Sequence, residues 1–186
     1  MKAKQGELSG TSGNVLSTRM NPPFVVLQIE DNADDRELFQ MAAEQAKLPI
    51  CWQTANSAKA AIAHLQNLLS VAGAGGHVTW PDLVLLDFLM PVESGVSVLR
   101  FIQSQARLKN VPVVVLTGSE DQAITEQACA FGARAVMLKP SNFESLMELI
   151  GTIYRTYRPR EYRPSAPVEY QSTRLWAGGS TPSVSW

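Results

Sequence analysis

The sequence predicts an α/β fold in which five parallel strands form one doubly wound sheet with helices on both faces. Short runs rich in Val and Leu do not alternate with polar residues, which is typical of parallel strands buried on both faces. Segments with helical start signals and apolar stripes separate these runs, so strand and helix alternate in a (βα)5 order. Right-handed crossovers then place the helices in the outer layers of a three-layer sandwich.

The first strand is predicted at residues 24–29, and Asn32 begins a helix that extends to about Ala46. Asp34 and Asp35 favour this start because acidic residues stabilise the positive end of a helix. The apolar stripe that we expect to face the core consists of Leu38, Met41, Ala42 and Gln45.

The second strand is predicted at residues 50–54, and Ser57 caps the helix that follows it. Residues 71–76 are rich in glycine and are predicted to form a loop. A third strand at residues 83–86 leads to a helix that begins at Gly95.

The fourth strand is predicted at residues 113–116, before a helix over residues 120–131 that Gly132 ends as a C-cap. The fifth strand covers residues 135–138. Residues 141–144 have the Ser-x-x-Glu pattern of a capping box and open the last helix. The apolar stripe of that helix consists of Leu146, Leu149, Ile150 and Ile153.

Polar residues with related chemistry end four of these strands. Glu30 and Asp31 follow the first strand, Asp87 the third, Thr117 the fourth and Lys139 the fifth. Because parallel strands share their carboxyl edge, we expect these side chains to meet in one crevice, where open α/β sheets bind ligands.

The residue types in this crevice suit phosphoryl chemistry with Mg²⁺. Carboxylate oxygens, few in number, leave water positions open on a hard cation such as Mg²⁺. An aspartate held beside the cation can attack a phosphoryl group and form an acyl phosphate. Lys139 would then supply a point charge for the phosphoryl oxygens, and Thr117 a hydrogen bond.

The same residues resemble the receiver domains of two-component response regulators, which have the flavodoxin-like fold of the chemotaxis receiver CheY. The matching motifs are Glu30-Asp31-Asn32, Asp87-Phe-Leu-Met-Pro91 with Gly95, Thr117-Gly118, and Gly132-Ala133 leading to Lys139-Pro140. The resemblance covers about residues 24–157. We therefore expect a flexible leader at 1–22, a receiver domain at 23–157 and a basic tail with several prolines at 158–186.

The resemblance implies a role for each site residue. Asp87 accepts a phosphoryl group from a sensor histidine kinase, and Thr117 and Lys139 contact that group. The implied Mg²⁺ ligands are Glu30, Asp31, Asp87 and the backbone carbonyl of Leu89. A cis Lys139–Pro140 peptide bond is also expected. The stretch around Trp80 is similar to that of small phytochrome-associated regulators, which points to a phytochrome as the kinase.

The route of the output signal departs from the family pattern. Val136 stands where the family commonly has an aromatic residue, so we expect the signal to travel by loop movement, by dimerisation or through the tails. Because the sequence shows no DNA-binding or enzymatic domain, we expect the output to be a protein contact or phosphate transfer. The tail is too short for an effector domain, and we expect a homodimer through the fourth helix, fifth strand and fifth helix, strengthened by the basic tail at 155–174. The apolar residues assigned to this face are Ile124, Phe131, Val136, Leu146 and Tyr154.

The 186-residue chain has a formal net charge of −1, but its charges are unevenly distributed. Residues 23–153 carry 8 Lys or Arg against 14 Asp or Glu, a net charge of −6. Such an acidic centre argues against a nucleic-acid partner. No apolar stretch has the length of a membrane span, so we expect no membrane association and a cytoplasmic location.

Four other functions are weighed against a working response regulator. An aspartyl phosphatase usually needs a second acid two residues after the nucleophile, where this chain has Leu89, so we do not expect an enzyme acting on external substrates. A flavodoxin-like electron carrier would suffer repulsion between Asp31 and the flavin phosphate. A receiver-like scaffold that works without phosphorylation, or a phosphorelay intermediate, remains as the alternative to a working response regulator.

Overall fold

The computed structural model describes residues 23–90 and 95–159 and, for the backbone alone, residues 176–177. The expected leader at 1–22 and most of the expected tail lie outside the described residues. The strands are β1 (Phe24–Ile29), β2 (Ile50–Ala55), β3 (Leu83–Asp87), β4 (Val113–Thr117), β5 (Ala135–Leu138) and β6 (Trp176–Ala177). The helices are α1 (Ala33–Gln45), α2 (Ala58–Gly73), α3 (Gly95–Ser104), α4 (Gln122–Ala130) and α5 (Phe143–Tyr157).

The strands form one sheet in the order β2-β1-β3-β4-β5-β6. β1 to β5 are parallel, and the short β6 pairs antiparallel with β5, with Val136 opposite Trp176. The predicted doubly wound (βα)5 fold is therefore confirmed. Within the described ranges, no helix is both long enough and apolar enough to cross a bilayer.

The buried side chains form two clusters, one on each face of the sheet. Leu27 and Leu86 point toward a cluster that Leu65 of α2 and Leu99 of α3 complete. Their neighbours along the strands, such as Val26 and Leu85, point to the opposite face and belong to the other cluster, which α1 and α5 cover. Both faces of β1, β3 and β4 are thus buried, which explains why their sequences do not alternate.

A double hydrogen bond joins β1 to the residue before β3, at the end of the sheet where these strands begin. The Val25 N–H donates to Asp82 Oδ2 over 2.8 Å, and the Asp82 N–H donates to the Val25 carbonyl over 2.8 Å. The register that follows places Val26 beside Leu83 and Ile29 beside Leu86. The hydrogen bonds of Asp82 therefore fix the start of β3 against β1.

The predicted apolar stripe of α1 is wrong in phase. Leu38 and Met41 are 41% and 49% exposed, while Phe39, Ala42 and Ala43 are buried. Both sets have helical spacing, and the ring of Phe39 decides between them because it has the larger apolar area to bury. Only Ala42 belongs to both the predicted and the observed stripe.

Several predicted boundaries also differ. α2 continues through Gly73 instead of ending before Val71, and the chain leaves the helix near Gly75, where φ is +81°. α4 is shorter than predicted because Asp121 is its N-cap and accepts a hydrogen bond from the Ala123 N–H.

At the end of α4 and the start of α5, one prediction is confirmed and two are wrong. Gly132 ends α4 with φ +93°, as predicted. The N-cap of α5 is Asn142, whose side chain accepts a hydrogen bond from the Ser145 N–H, so the capping box at Ser141 is not formed. The Lys139–Pro140 peptide bond is trans rather than cis.

Candidate functional site

The predicted site residues lie at the carboxyl edge of the parallel sheet. Asp87 is the last residue of β3, beside Leu116 of β4, and Thr117 ends β4. Lys139 directly follows β5, and its N–H donates to the Thr117 carbonyl over 2.8 Å. Glu30 follows β1, so the parallel topology brings these residues to one edge of the sheet.

The Lys139 ammonium is the centre of the site. Its Nζ lies 2.6 Å from Glu30 Oε2, 2.8 Å from Asp87 Oδ2 and 3.1 Å from Asp35 Oδ2. An ammonium has three N–H donors, and each has a carboxylate acceptor here. Glu30 and Asp87 are buried, so these contacts compensate charges that have lost most of their hydration.

Three of the predicted metal ligands are grouped. Glu30, Asp31 and Asp87 each offer one carboxylate oxygen, and these oxygens lie within 4.8 Å of one another. Asp31 is exposed, so the group opens to solvent on one side. Carboxylate oxygens at this separation fit a hard divalent cation such as Mg²⁺.

Backbone groups fix the two buried carboxylates. The Leu89 N–H donates to Asp87 Oδ1 over 3.0 Å, and the Asn32 N–H donates to Glu30 Oε1 over 3.2 Å. Arg36 Nη1 donates to the Glu30 carbonyl over 2.8 Å. The backbone of Leu89 therefore lies beside Asp87, and the assignment of its carbonyl as a metal ligand stays a prediction.

Thr117 lies at the predicted edge, but its hydroxyl is bonded locally. Thr117 Oγ1 accepts a hydrogen bond from the Ser119 N–H over 3.1 Å, and its hydroxyl donates to the Ser119 carbonyl over 3.4 Å. Its predicted contact with a phosphoryl group would require this side chain to exchange the Ser119 carbonyl for a phosphoryl oxygen.

The charges of Glu30, Asp87 and Lys139 depend on one another because the ammonium contacts both carboxylates. Burial raises the pKa of Glu30 to about 7; the hydrogen bond from Lys139 opposes that rise, and the charge of Asp87 adds to it. Burial alone lowers the pKa of Lys139, but its hydrogen bonds to Asp87 and Glu30 outweigh burial and hold the pKa above its ordinary value. The lysine is therefore charged at neutral pH, and Glu30 is poised between its two protonation states.

Asp35 is a member of the site that the sequence alone did not assign. It was predicted only as an acidic residue at the start of α1, yet its carboxylate contacts Lys139. One helical turn separates it from Asp31, and that spacing was the available signal. The lysine contact itself depends on how α1 packs beside the end of β5, which spacing does not reveal.

Comparison with known proteins assigns the fold and its acidic edge to a family. Residues 26–151 match the response regulator receiver domain. The chain belongs to this family. Receiver domains are signalling proteins of two-component systems, and phosphorylation-based signalling is their standard function.

Two curated relatives match this receiver domain over most of their own length. The probable methanogenesis regulatory protein FilR2 of Methanothrix harundinacea is 32% identical over 142 residues, covering 76% of this chain and 87% of FilR2. The response regulator Rcp1 of a Synechocystis species is 29% identical over 135 residues, covering 73% of this chain and 89% of Rcp1.

Two solved structures with related sequences share the receiver fold. The phosphorylated cyanobacterial phytochrome response regulator RcpA has a TM-score of 0.64 and 28% identity, covering 73% of this chain and 94% of RcpA. The Mn²⁺-bound form of Rcp1 has a TM-score of 0.63 and 26% identity, covering 77% of this chain and 100% of that structure.

Proposed function

We propose that this receiver domain accepts a phosphoryl group on Asp87 from a phosphohistidine of a sensor histidine kinase, in a Mg²⁺-dependent reaction. The observation that carries the proposal is the position of Asp87, which is held 2.8 Å from Lys139 Nζ and grouped with Glu30 and Asp31. The Asp87 carboxylate thus contacts a positive charge and is also one of three grouped carboxylates that could hold a cation.

The proposed reaction is a substitution at phosphorus. A carboxylate oxygen of Asp87 attacks phosphorus, the P–N bond of phosphohistidine breaks, and the electron pair stays on the imidazole nitrogen, which takes a proton from water. The Leu89 N–H holds one carboxylate oxygen and Lys139 the other, which orients the nucleophile before transfer. Lys139 then stabilises the phosphoryl oxygens by its charge, and the Thr117 hydroxyl donates a hydrogen bond to one of them.

Glu30, Asp31 and Asp87, with the Leu89 carbonyl, are the residues that would hold Mg²⁺. Bound there, the cation neutralises negative charge on the transferring group and on the acidic cluster. The donor set fits because it consists of oxygen ligands, one of them exposed, which leaves positions for water. The Mn²⁺-bound form of the relative Rcp1 supports divalent-cation binding by analogy.

Exposed apolar side chains near the acidic site support a protein as the phosphoryl donor. Leu89 lies two residues after Asp87, Leu138 precedes Lys139, and Leu38 lies one turn after Asp35 on α1. An apolar surface of this kind suits docking of a protein surface better than it suits a small charged donor. Because the relative RcpA is a phytochrome response regulator, we propose a phytochrome-type kinase as the partner, in the cytoplasm where ATP supplies the phosphoryl group.

We further propose a homodimer through the face formed by α4, β5 and α5. The segments 1–22 and 158–186 are proposed to flank the receiver domain, and β6 in the second segment returns to pair with β5. Of the five apolar residues assigned to this face, Val136, Leu146 and Tyr154 are buried and serve the core. Ile124 and Phe131 are half-buried, and the Arg100 guanidinium lies 4.5 Å from the centre of the Phe131 ring. Both side chains also pack against the core cluster on the α2 and α3 face of the sheet, so only their exposed parts are available to a partner.

Intact-mass spectrometry tests the phosphorylation. The chain is incubated with acetyl phosphate and Mg²⁺, and a mass gain of one phosphoryl group that is lost on adding hydroxylamine is expected. Asp87→Asn should abolish the gain, and Asp34→Asn should retain it because Asp34 is an exposed acid of α1 outside the metal-ligating group. A gain that persists in Asp87→Asn would show that another residue is the acceptor.

A further inference from the structure

We propose that Asp35 is a positioning residue that holds the Lys139 ammonium at the solvent side of the site, where an incoming phosphoryl group must meet it. This inference rests on the proposed phosphorylation of Asp87. Asp35 Oδ2 lies 3.1 Å from Lys139 Nζ, and its carboxylate is not one of the three that form the metal-ligating group.

The partners of Lys139 differ in burial. Glu30 and Asp87 are buried, whereas the Asp35 side chain is 39% exposed. Two carboxylates therefore attract the ammonium inward, onto the nucleophile, and Asp35 attracts it outward. Without Asp35, the ammonium would have no carboxylate partner on the solvent side, so the flexible lysine side chain would be less firmly held where the phosphoryl group arrives.

The contact between Asp35 and Lys139 would matter more once Glu30 and Asp87 bind a cation. A divalent cation shared by Glu30 and Asp87 would compensate their charges and weaken their attraction for Lys139. Asp35 would then be the remaining carboxylate with a full charge beside the ammonium. Since the Lys139 backbone is already tied to the Thr117 carbonyl, the Asp35 contact fixes the other end of the side chain.

The backbone of Asp35 is itself held in place. The Asn32 side chain accepts hydrogen bonds from the N–H groups of Asp34 and Asp35, over 2.9 and 3.3 Å, at the start of α1. Asp34 thus has the same cap, the same charge and a place on the same helical turn. In the described ranges, however, its carboxylate takes part in no ion pair, so Asp34 is the matched control.

The experiment compares Asp35→Ala and Asp34→Ala in the full-length chain, alone and combined with Lys139→Ala. The first measurement is the rate of phosphorylation by acetyl phosphate at saturating Mg²⁺. Because the pair is partly exposed, we expect Asp35→Ala to slow the reaction about threefold to fivefold and Asp34→Ala to leave it unchanged. In the Lys139→Ala background, Asp35→Ala should have no further effect. Equal effects of the two aspartate variants, or an undiminished effect without Lys139, would overturn the proposal.

Two further readouts separate positioning from other roles. Isothermal titration calorimetry should give the same Mg²⁺ affinity for Asp35→Ala and the unmodified chain, because Asp35 lies outside the metal-ligating group; a large loss of affinity would assign it to metal binding instead. In urea unfolding without Mg²⁺, the Asp35 and Lys139 substitutions should be non-additive. Additive effects would overturn the pairing even if the chain accepted no phosphate, whereas failure of the unmodified chain to gain mass would refute the proposed function and leave the pairing measurable.

Discussion

Glu30 shows how a single buried residue makes the site dependent on pH. The residue is 2% exposed, and burial raises the pKa of its carboxyl to about 7. A cation binds the deprotonated form, so protons compete with the metal below that pKa. The affinity for Mg²⁺ should therefore fall as the pH falls through 7, and it should level off above that value.

The first prediction is that Mg²⁺ binds about tenfold more weakly at pH 6 than at pH 8, because most Glu30 carboxyls are protonated at the lower pH. Calorimetric titration at the two pH values measures the affinities. Glu30→Gln removes the titrating group, so its affinity should be weak and nearly independent of pH. An unmodified chain with equal affinities at pH 6 and pH 8 would contradict the role of Glu30.

Leu89 is a second residue whose place beside Asp87 has a testable effect. Its N–H donates to Asp87 Oδ1, and its side chain is 51% exposed at the edge of the site. We expect this side chain to exclude part of the water that would hydrolyse an acyl phosphate on Asp87. Leu89→Asn should therefore shorten the lifetime of the acyl phosphate severalfold.

The decay of the phosphorylated mass after removal of acetyl phosphate measures that lifetime. Val71→Asn, an exposed apolar residue of α2 outside the site, provides the control and should leave the decay unchanged. If Leu89→Asn decays at the rate of the unmodified chain, the side chain does not shield the acyl phosphate.

At the scale of elements, α1 connects the core to the site. Phe39 packs into the cluster on the α1 and α5 face of the sheet, while Asp35 one turn earlier reaches Lys139. The phase of this helix therefore sets both contacts. A rotation that buried Leu38 instead of Phe39 would carry Asp35 away from the end of β5.

The third prediction concerns this phase. Phe39→Ala should lower the free energy of unfolding by about 3 kcal/mol or more, since it removes a buried aromatic ring and leaves a cavity. Leu38→Ala should lower it by less than about 1 kcal/mol, because Leu38 is 41% exposed. Urea unfolding followed by circular dichroism gives both values. A larger loss for Leu38→Ala would restore the stripe predicted from the sequence.

The elements differ in how far their sequences determine them. The strands were predictable because burial on both faces leaves a non-alternating apolar run, as in β3 and β4. The phase of α1 was not, because Leu38 and Phe39 both belong to stripes of helical spacing. The N-cap of α5 was ambiguous for a similar reason: Ser141 and Asn142 are both good caps, and backbone geometry selects Asn142.

At the scale of the whole molecule, the topology assembles the site. Glu30, Asp87 and Lys139 were predicted to meet because three parallel strands end at one edge, and they do. The role of Asp35 was not predictable, because it requires the side-by-side placement of α1 and the end of β5. Parallel topology thus determines which strand ends converge, and helix packing determines what else reaches them.

Charge separation between the ends and the centre of the chain gives a fourth prediction, about assembly. Residues 23–153 have a net charge of −6, and residues 154–186 carry 5 Lys or Arg against 2 Asp or Glu. If the tail strengthens a dimer by lying against the acidic centre, each exposed pair contributes about 1 kcal/mol or less, and salt weakens it. We expect a dimer that dissociates more readily at high salt or after removal of residues 158–186.

Size-exclusion chromatography with light scattering at several protein concentrations measures this assembly. Ile124→Glu should weaken the dimer, and Ile62→Glu should not, because Ile62 is a half-buried residue of α2, away from the α4 and α5 face. A monomer at micromolar concentration in every buffer would exclude the dimer. An unchanged dimer after truncation would exclude a contribution from the tail.

The two hydrogen bonds between Asp82 and Val25 fix the position of β3 relative to β1. They fix where the strand starts, and Asp87 ends the strand five residues later, about 17 Å away at the extended rise per residue. A slip of one residue would turn Leu85 and Leu86 to the opposite faces of the sheet and move Asp87 away from Lys139. The hydrogen bonds of Asp82 at one end of β3 thus help to determine where Asp87 lies at the other end.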